Sequence, residues 1–299
     1  MATCPRSPEI RRAHTAPFAI LRAVNRGNDA SAVHFLLSLI DRQDAAAIRR
    51  RLGLGEPQRR TGEDAARELS RLGAPRSVLL WMLERDDPAV NAIVFHHPQA
   101  TDTMKRDILR GVPFGAAAGP LPGIEGCMSH WCTHEEPRIE ADGDPIGGLR
   151  EASTMRQARY AVRAIGKQDW AEVAEADLEQ PLPGYARWAL SQRIDCPQQL
   201  RRQFGEHAKF RHRLRTAGIV ELREYVEQGR PPEHVLTVLH LGAELFPQQA
   251  AEARKMVEPL VRTEIGKHEE AWAVLAQLLP TFTGTVPELV RTSGAVAAV

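Results

Sequence analysis

Four cysteines in 299 residues, Cys4, Cys127, Cys132 and Cys196, are too few to make a disulfide framework for a chain of this length. No apolar run approaches the ~18–20 residues that a membrane-spanning helix requires. The first sixteen positions carry Arg6, Arg11 and Arg12 without the apolar stretch of a secretory leader. Charge of one sign is also lacking. The formal net charge of +1 excludes a generally basic nucleic-acid coat and an acidic solvating tail, so any anion binding must come from a local patch. Together these absences point to a cytoplasmic protein with reduced thiols and no membrane partner.

Aromatic residues are scarce, at 5%, and so are β-branched runs. Ala, Leu, Arg, Glu and Gln dominate instead, which are strong helix formers, and the composition points to an all-α fold. Lysine occurs only at positions 105, 167, 209, 255 and 267, and this arginine bias with abundant alanine suggests a high-GC bacterial genome.

Apolar residues recur at helical spacing. Phe35, Leu36, Leu39 and Ile40 form one stripe, and Ile48 with Leu52 lies on a second short helix after Gln43. Further stripes are Val78, Leu79, Met82 and Leu83, then Val235, Val238, Leu239, Leu245 and Phe246, and finally Trp272, Leu275, Ala276 and Leu279. Each fits the i, i+3, i+4, i+7 pattern of an amphipathic helix. Glycine and proline punctuate them, with Gly73 closing one helix and Pro75 opening the next. Between 111 and 149 these breakers crowd together, which predicts a loop or linker between an N-terminal lobe, 1–110, and a C-terminal lobe, 150–299.

The most specific pattern is an internal repeat. Sliding Asn91–Ile108 by 96 positions onto Arg187–Phe204 places Val94 on Leu190, Ala100 on Cys196, Met104 on Leu200 and Ile108 on Phe204. The shared shape is a short helix, a tight turn of small residues or proline, and a second short helix. A weaker third copy runs from Trp272 through Leu275, Pro280 and Pro287 to Leu289.

Asp87, Pro88, Val90 and Asn91 in the first copy, and Asp195, Cys196, Pro197 and Leu200 in the second, give these segments their resemblance to the leucine-rich repeat variant family, a relative of HEAT-type helical repeats. The resemblance covers roughly 60 to 80 residues. It implies stacked helical hairpins in an α-solenoid, two lobes of which flank the Gly/Pro-rich loop, with an extended surface that holds another macromolecule. Some members of that family carry an N-terminal cysteine cluster for an iron–sulfur centre, which Cys4 alone cannot supply.

Chemistry-bearing residues are few. Cys127, His130, Cys132 and His134 fall within eight positions of the loop, and thiolates with imidazoles are natural ligands of tetrahedral zinc. Their C-x2-H-x-C-x-H spacing matches no common structural zinc motif. Arg201, Arg202, Lys209, Arg211, Arg213 and Arg215 form a basic run that could neutralise phosphates, with Phe204 or Phe210 available for stacking. The competing reading is a solvated helix face. His96 and His97 precede Pro98 at a repeat turn and read as structural, as does Cys196; Trp81, Trp188 and Trp272 fall on apolar stripes and read as core. No phosphate loop, dinucleotide fingerprint, nucleophile elbow or H-E-x-x-H motif is present, and no catalytic residue is assigned. The sequence therefore reads as a non-enzymatic scaffold with a protein partner. The second reading is a nucleic-acid-binding helical repeat, and the third an enzyme resembling the HEAT-like DNA-repair glycosylases.

Overall fold

The computed structural model describes residues 27–57, 60–124, 134–139, 144–205 and 208–298. Among them the fold is all-α, with no strand. The described residues form two compact units: those within 27–57, 230–237 and 258–298 make the first, and those within 60–229 and 238–257 the second. The fourteenth and fifteenth helices, α14 (Pro232–Leu245) and α15 (Pro247–Glu264), each contribute residues to both.

The first unit contains α1 (Gly27–Leu37), α2 (Arg42–Leu52), α16 (Glu269–Leu278) and α17 (Val286–Ala297), with the outer ends of α14 and α15. Asp41 caps α2, its carboxylate accepting from Gln43 N at 2.8 Å, and Gly53 ends it with φ of 67°. The apolar stripes read from sequence are the buried ones: Phe35, Leu36, Ile48 and Leu52 meet solvent hardly at all, and neither do Trp272, Leu275 and Leu289. Gly294 lets α17 press on the end of α15, because a Cβ there would lie 2.3 Å from Glu264 O.

The second unit contains α3 (Gly62–Leu72), α4 (Ser77–Leu83), α5 (Pro88–Phe95), α6 (Asp102–Leu109), α7 (Pro145–Arg150), α8 (Met155–Val162), α9 (Trp170–Glu179), α10 (Gly184–Ser191), α11 (Gln198–Phe204), α12 (Ala208–Thr216) and α13 (Leu222–Gln228). Trp81 on α4 is buried, with ring centroids 5.8 Å from Tyr225 and 5.7 Å from Phe246. Ser77 O γ accepts from Val220 N and Ser77 N donates to Gly218 O, which ties the start of α4 to the turn before α13.

The repeat is visible in the backbone. The helices α5 and α10 begin at Pro88 and Gly184, and α6 and α11 at Asp102 and Gln198, so both pairs keep the 96-residue spacing. Turn hydrogen bonds correspond as well: His97 N to Val94 O and Arg193 N to Leu190 O, both 3.0 Å, then Ala100 N to His97 O and Cys196 N to Arg193 O, at 3.0 and 3.2 Å. Val94 and Leu190, Ala100 and Cys196, and Met104 and Leu200 are buried in pairs.

The described parts of the Gly/Pro-rich interval, 111–124, 134–139 and 144–149, are more structured than their composition suggests. Asp86, held at φ of 54°, accepts from Phe114 N, Gly115 N and Ala117 N at 2.8–2.9 Å and pins residues 114–117 to the end of α4. Gly115 is required there, since a Cβ would lie 2.1 Å from Glu84 O. The helix α7 also starts inside the interval expected to be loop. Asp144 caps it by accepting from Gly147 N, and Pro145 occupies the first turn, where a missing N–H costs nothing.

Candidate functional site

The basic run divides when it folds. Arg201 turns inward: its guanidinium donates to Ser191 O at 3.3 Å, Arg193 O at 2.5 Å and Ile194 O at 3.1 Å, closing the carbonyls at the end of α10. Arg215 is held by Glu224, with Nε to Oε1 at 2.6 Å, and by Gln228 at 2.8 Å. Arg202, Lys209, Arg211 and Arg213 remain exposed. Arg201 and Arg215 thus serve the fold, while Arg202 and Arg211 lie beside Phe210 and Arg213 lies on the Trp188 side of α12.

Aromatic rings accompany those cations. Trp188 on α10 and Phe210 on α12 meet edge to face, with centroids 4.8 Å apart, and the Arg213 guanidinium lies over the Trp188 ring at 5.9 Å. Trp188 is only half-buried, which corrects its expected place in the core. The reason is the helical wheel of α10: Ala186, Ala189 and Leu190 point inward, so Tyr185 and Trp188, three residues apart, share the outward side. Tyr185 is 50% exposed and was not singled out from sequence. The signal was available in its spacing to Trp188, opposite the Ala-Ala-Leu stripe.

Two ion pairs with buried carboxylates hold α10 and the turn that follows it. Asp177 accepts from Arg187 Nε at 2.7 Å, Arg187 Nη2 at 3.2 Å, Leu182 N at 2.9 Å and Gln203 Nε2 at 2.9 Å. Burial alone would raise its pKa, but the hydrogen bonds from Arg187, Leu182 and Gln203 outweigh it and hold the carboxyl below the usual range. Asp195 is paired in the same way with Arg193, Nε to Oδ1 at 2.9 Å and Nη2 to Oδ2 at 2.5 Å, and Trp170 Nε1 donates to it at 3.2 Å. Burial again opposes ionisation, and the Arg193 charge with these hydrogen bonds overcomes it, so its pKa is also lowered. Arg193 in turn donates to Val162 O at 3.1 Å and to Ile165 O. Each of these carboxylates has its oxygens occupied, which suits bracing better than proton transfer. Cys196, buried beside them, has its thiol pushed up to about 12 by burial, which keeps it protonated and inert.

Of the zinc candidates, Cys127, His130 and Cys132 lie outside the described residues. His134 is described, with φ of 47°. Its ring centroid lies 5.6 Å from that of Phe95 and 5.9 Å from that of His96, a neighbour that sequence reasoning had not connected with it. Among the described residues no group of three or more His, Cys, Asp or Glu side chains is placed to hold a metal ion. His97 serves its own turn, where Nδ1 accepts from Gln99 N at 3.2 Å.

A cleft of about 440 Å³ opens beside α7 and α8, lined in part by Asp144, Glu151, Arg156, Gln157 and Tyr160. Asp144 caps α7, and Gln157 completes the capping box that starts α8, accepting from Thr154 N at 3.1 Å. Two of its polar groups are therefore committed to helix ends. Among the described residues no helix is long and apolar enough to cross a membrane.

No protein-family model, curated protein or solved structure matches the chain. Among the described residues the chain is an all-α protein, and the α10–α12 face is its candidate site.

Proposed function

We propose that this chain is a non-enzymatic helical-repeat protein that holds a macromolecular partner on the face formed by α10 and α12. The observation that carries this reading is the Trp188–Phe210–Arg213 cluster, an aromatic and cationic patch left half-open to solvent. Exposed Arg and aromatic residues are the side chains that contribute most at macromolecular interfaces. The Arg187–Asp177 and Arg193–Asp195 pairs fix α10 in place, so the patch is presented rigidly. The resemblance to leucine-rich variant repeats agrees with a binding surface built on stacked hairpins.

The test is capture from a native lysate by the immobilised full chain, run beside a Lys209→Glu/Arg211→Glu variant. Both positions are exposed, so the variant should fold. A partner retained by the wild type and lost by the variant supports the reading. Equal recovery from both chains removes α12 from it.

A further inference from the structure

The chemistry of the patch points to a particular occupant, an inference that rests on the α10–α12 face being the binding site. We infer that this face binds single-stranded nucleic acid, with unpaired bases stacking on Tyr185 and Trp188 and the phosphates running along α12. Tyr185 and Trp188 stand at i and i+3 on α10, about 5–6 Å apart at Cβ, a spacing compatible with successive bases of an opened strand. Tyr185 is 50% exposed and Trp188 is half-buried with part of its ring reaching solvent, which is outward aromatic surface in a chain with only 5% aromatic residues.

Charge complementarity chooses the partner. From Gln198 to Val220 the sequence has a single acidic residue, Glu206, and besides Arg201 and Arg215, which serve the fold, it carries Arg202, Lys209, Arg211 and Arg213. Arg211 is exposed and makes no ion pair among the described residues. Arg213 is positioned over the Trp188 ring, where a guanidinium can extend the stack and face a phosphate at once. An acidic peptide would use the cations but gain little from the rings. Duplex DNA would likewise use the cations, but its bases are already stacked inside the helix and cannot reach Tyr185 or Trp188. Only an unpaired strand uses both features.

The experiment is fluorescence anisotropy of the full chain with a labelled oligothymidylate of roughly 12–16 nucleotides. The same strand annealed to its complement and a labelled polyglutamate serve as comparison ligands. Single strand should bind more tightly than duplex or polyglutamate, and its affinity should fall steeply as salt rises. Tyr185→Ala should weaken it about ten-fold, while Tyr185→Phe, which keeps the ring, should bind like the wild type. Lys209→Gln/Arg211→Gln should reduce the salt dependence. The inference fails if duplex or polyglutamate binds as well as the strand, if Tyr185→Ala changes nothing, or if no salt-sensitive binding occurs. Should the lysate experiment still lose a partner with the charge-reversed variant, the face remains a binding site and only its occupant is misassigned.

Discussion

The hairpins α5–α6 and α10–α11 are the same object built twice, with different polar contents. Helix starts, turn hydrogen bonds and the buried positions Val94/Leu190, Ala100/Cys196 and Met104/Leu200 coincide at one spacing. Nothing polar needs to match for that. Where α10 carries Arg187 on Asp177, α5 carries Asn91, whose buried Oδ1 has no hydrogen-bond partner. Where the second turn has Arg193 locked to Asp195, the first has His97 accepting from its own chain at Gln99. Where Arg201 closes the turn carbonyls, Lys105 instead lies over the Phe95 ring at 5.8 Å. The apolar positions define the hairpin, and the polar ones decide how firmly it is held.

The sharpest way to break the comparison is to remove one member of the second turn's ion pair. Arg193→Ala leaves Asp195 buried and unpaired, and also frees the carbonyls of Val162 and Ile165. Loss of a buried partner of this kind costs about 3–5 kcal/mol. At the corresponding site, His97→Ala removes one local hydrogen bond at a half-buried position and should cost about 1 kcal/mol. Urea unfolding of the two variants measures the difference. Equal losses would mean that the second turn does not depend on its ion pair.

A smaller effect comes from pH. Burial lowers the pKa of His96 and of His97 from 6.5; at His96 the neighbouring His134 and Lys105 lower it further. A histidine depressed in the fold contributes stability that is present above pH 6.5 and lost as pH falls through the folded value. Protonation would also remove the His97 Nδ1 acceptor from Gln99 N. Asp177 and Asp195 follow the same rule at lower pH, retaining their contribution until pH drops below the ordinary aspartate range. Asp107 and Glu84, both raised chiefly by burial, have the opposite sign: their contribution is lost as pH rises through the folded value. The protection factor of the Gln99 amide, its exchange rate corrected for the intrinsic pH dependence, should therefore fall on mild acidification while amides at 190–196 stay protected. A His96→Gln/His97→Gln variant should abolish the mild-acid step. If both turns respond over the same pH range, the histidines do not govern the first.

How much of this was legible depended on whether the partner lay nearby in sequence. The all-α class and the helices follow from local periodicity, the 96-residue spacing from comparing the chain with itself, and Cys196 was rightly placed in a buried turn. The inward turn of Arg201 was not legible, because a run of cations looks the same whether a guanidinium faces solvent or a row of carbonyls. Trp188 was misread because a helical stripe shows where apolar residues lie without showing which helix covers them. Asp86 was missed because the amides it holds come 28–31 residues later. The helix α7 could have been found, since Asp144–Pro145 is a cap followed by a first-turn proline. The surrounding glycines obscured it.

The mildest test acts where the two copies already agree in shape. Cys196 stands where Ala100 stands, and the two differ by one sulfur atom. With its thiol pushed up to about 12 and 3% of its surface exposed, Cys196 should not react with iodoacetamide at pH 8 in the folded protein and should react fully in urea. Cys196→Ala makes the turns alike at this position and should cost about 1 kcal/mol, the loss of a small buried group whose surroundings are braced by Arg193 and Arg201. The contrast with Arg193→Ala, a few residues away, is the informative part. If the small apolar site proved the costlier of the two, packing would hold the second turn as well as the first, and its ion pair would be incidental.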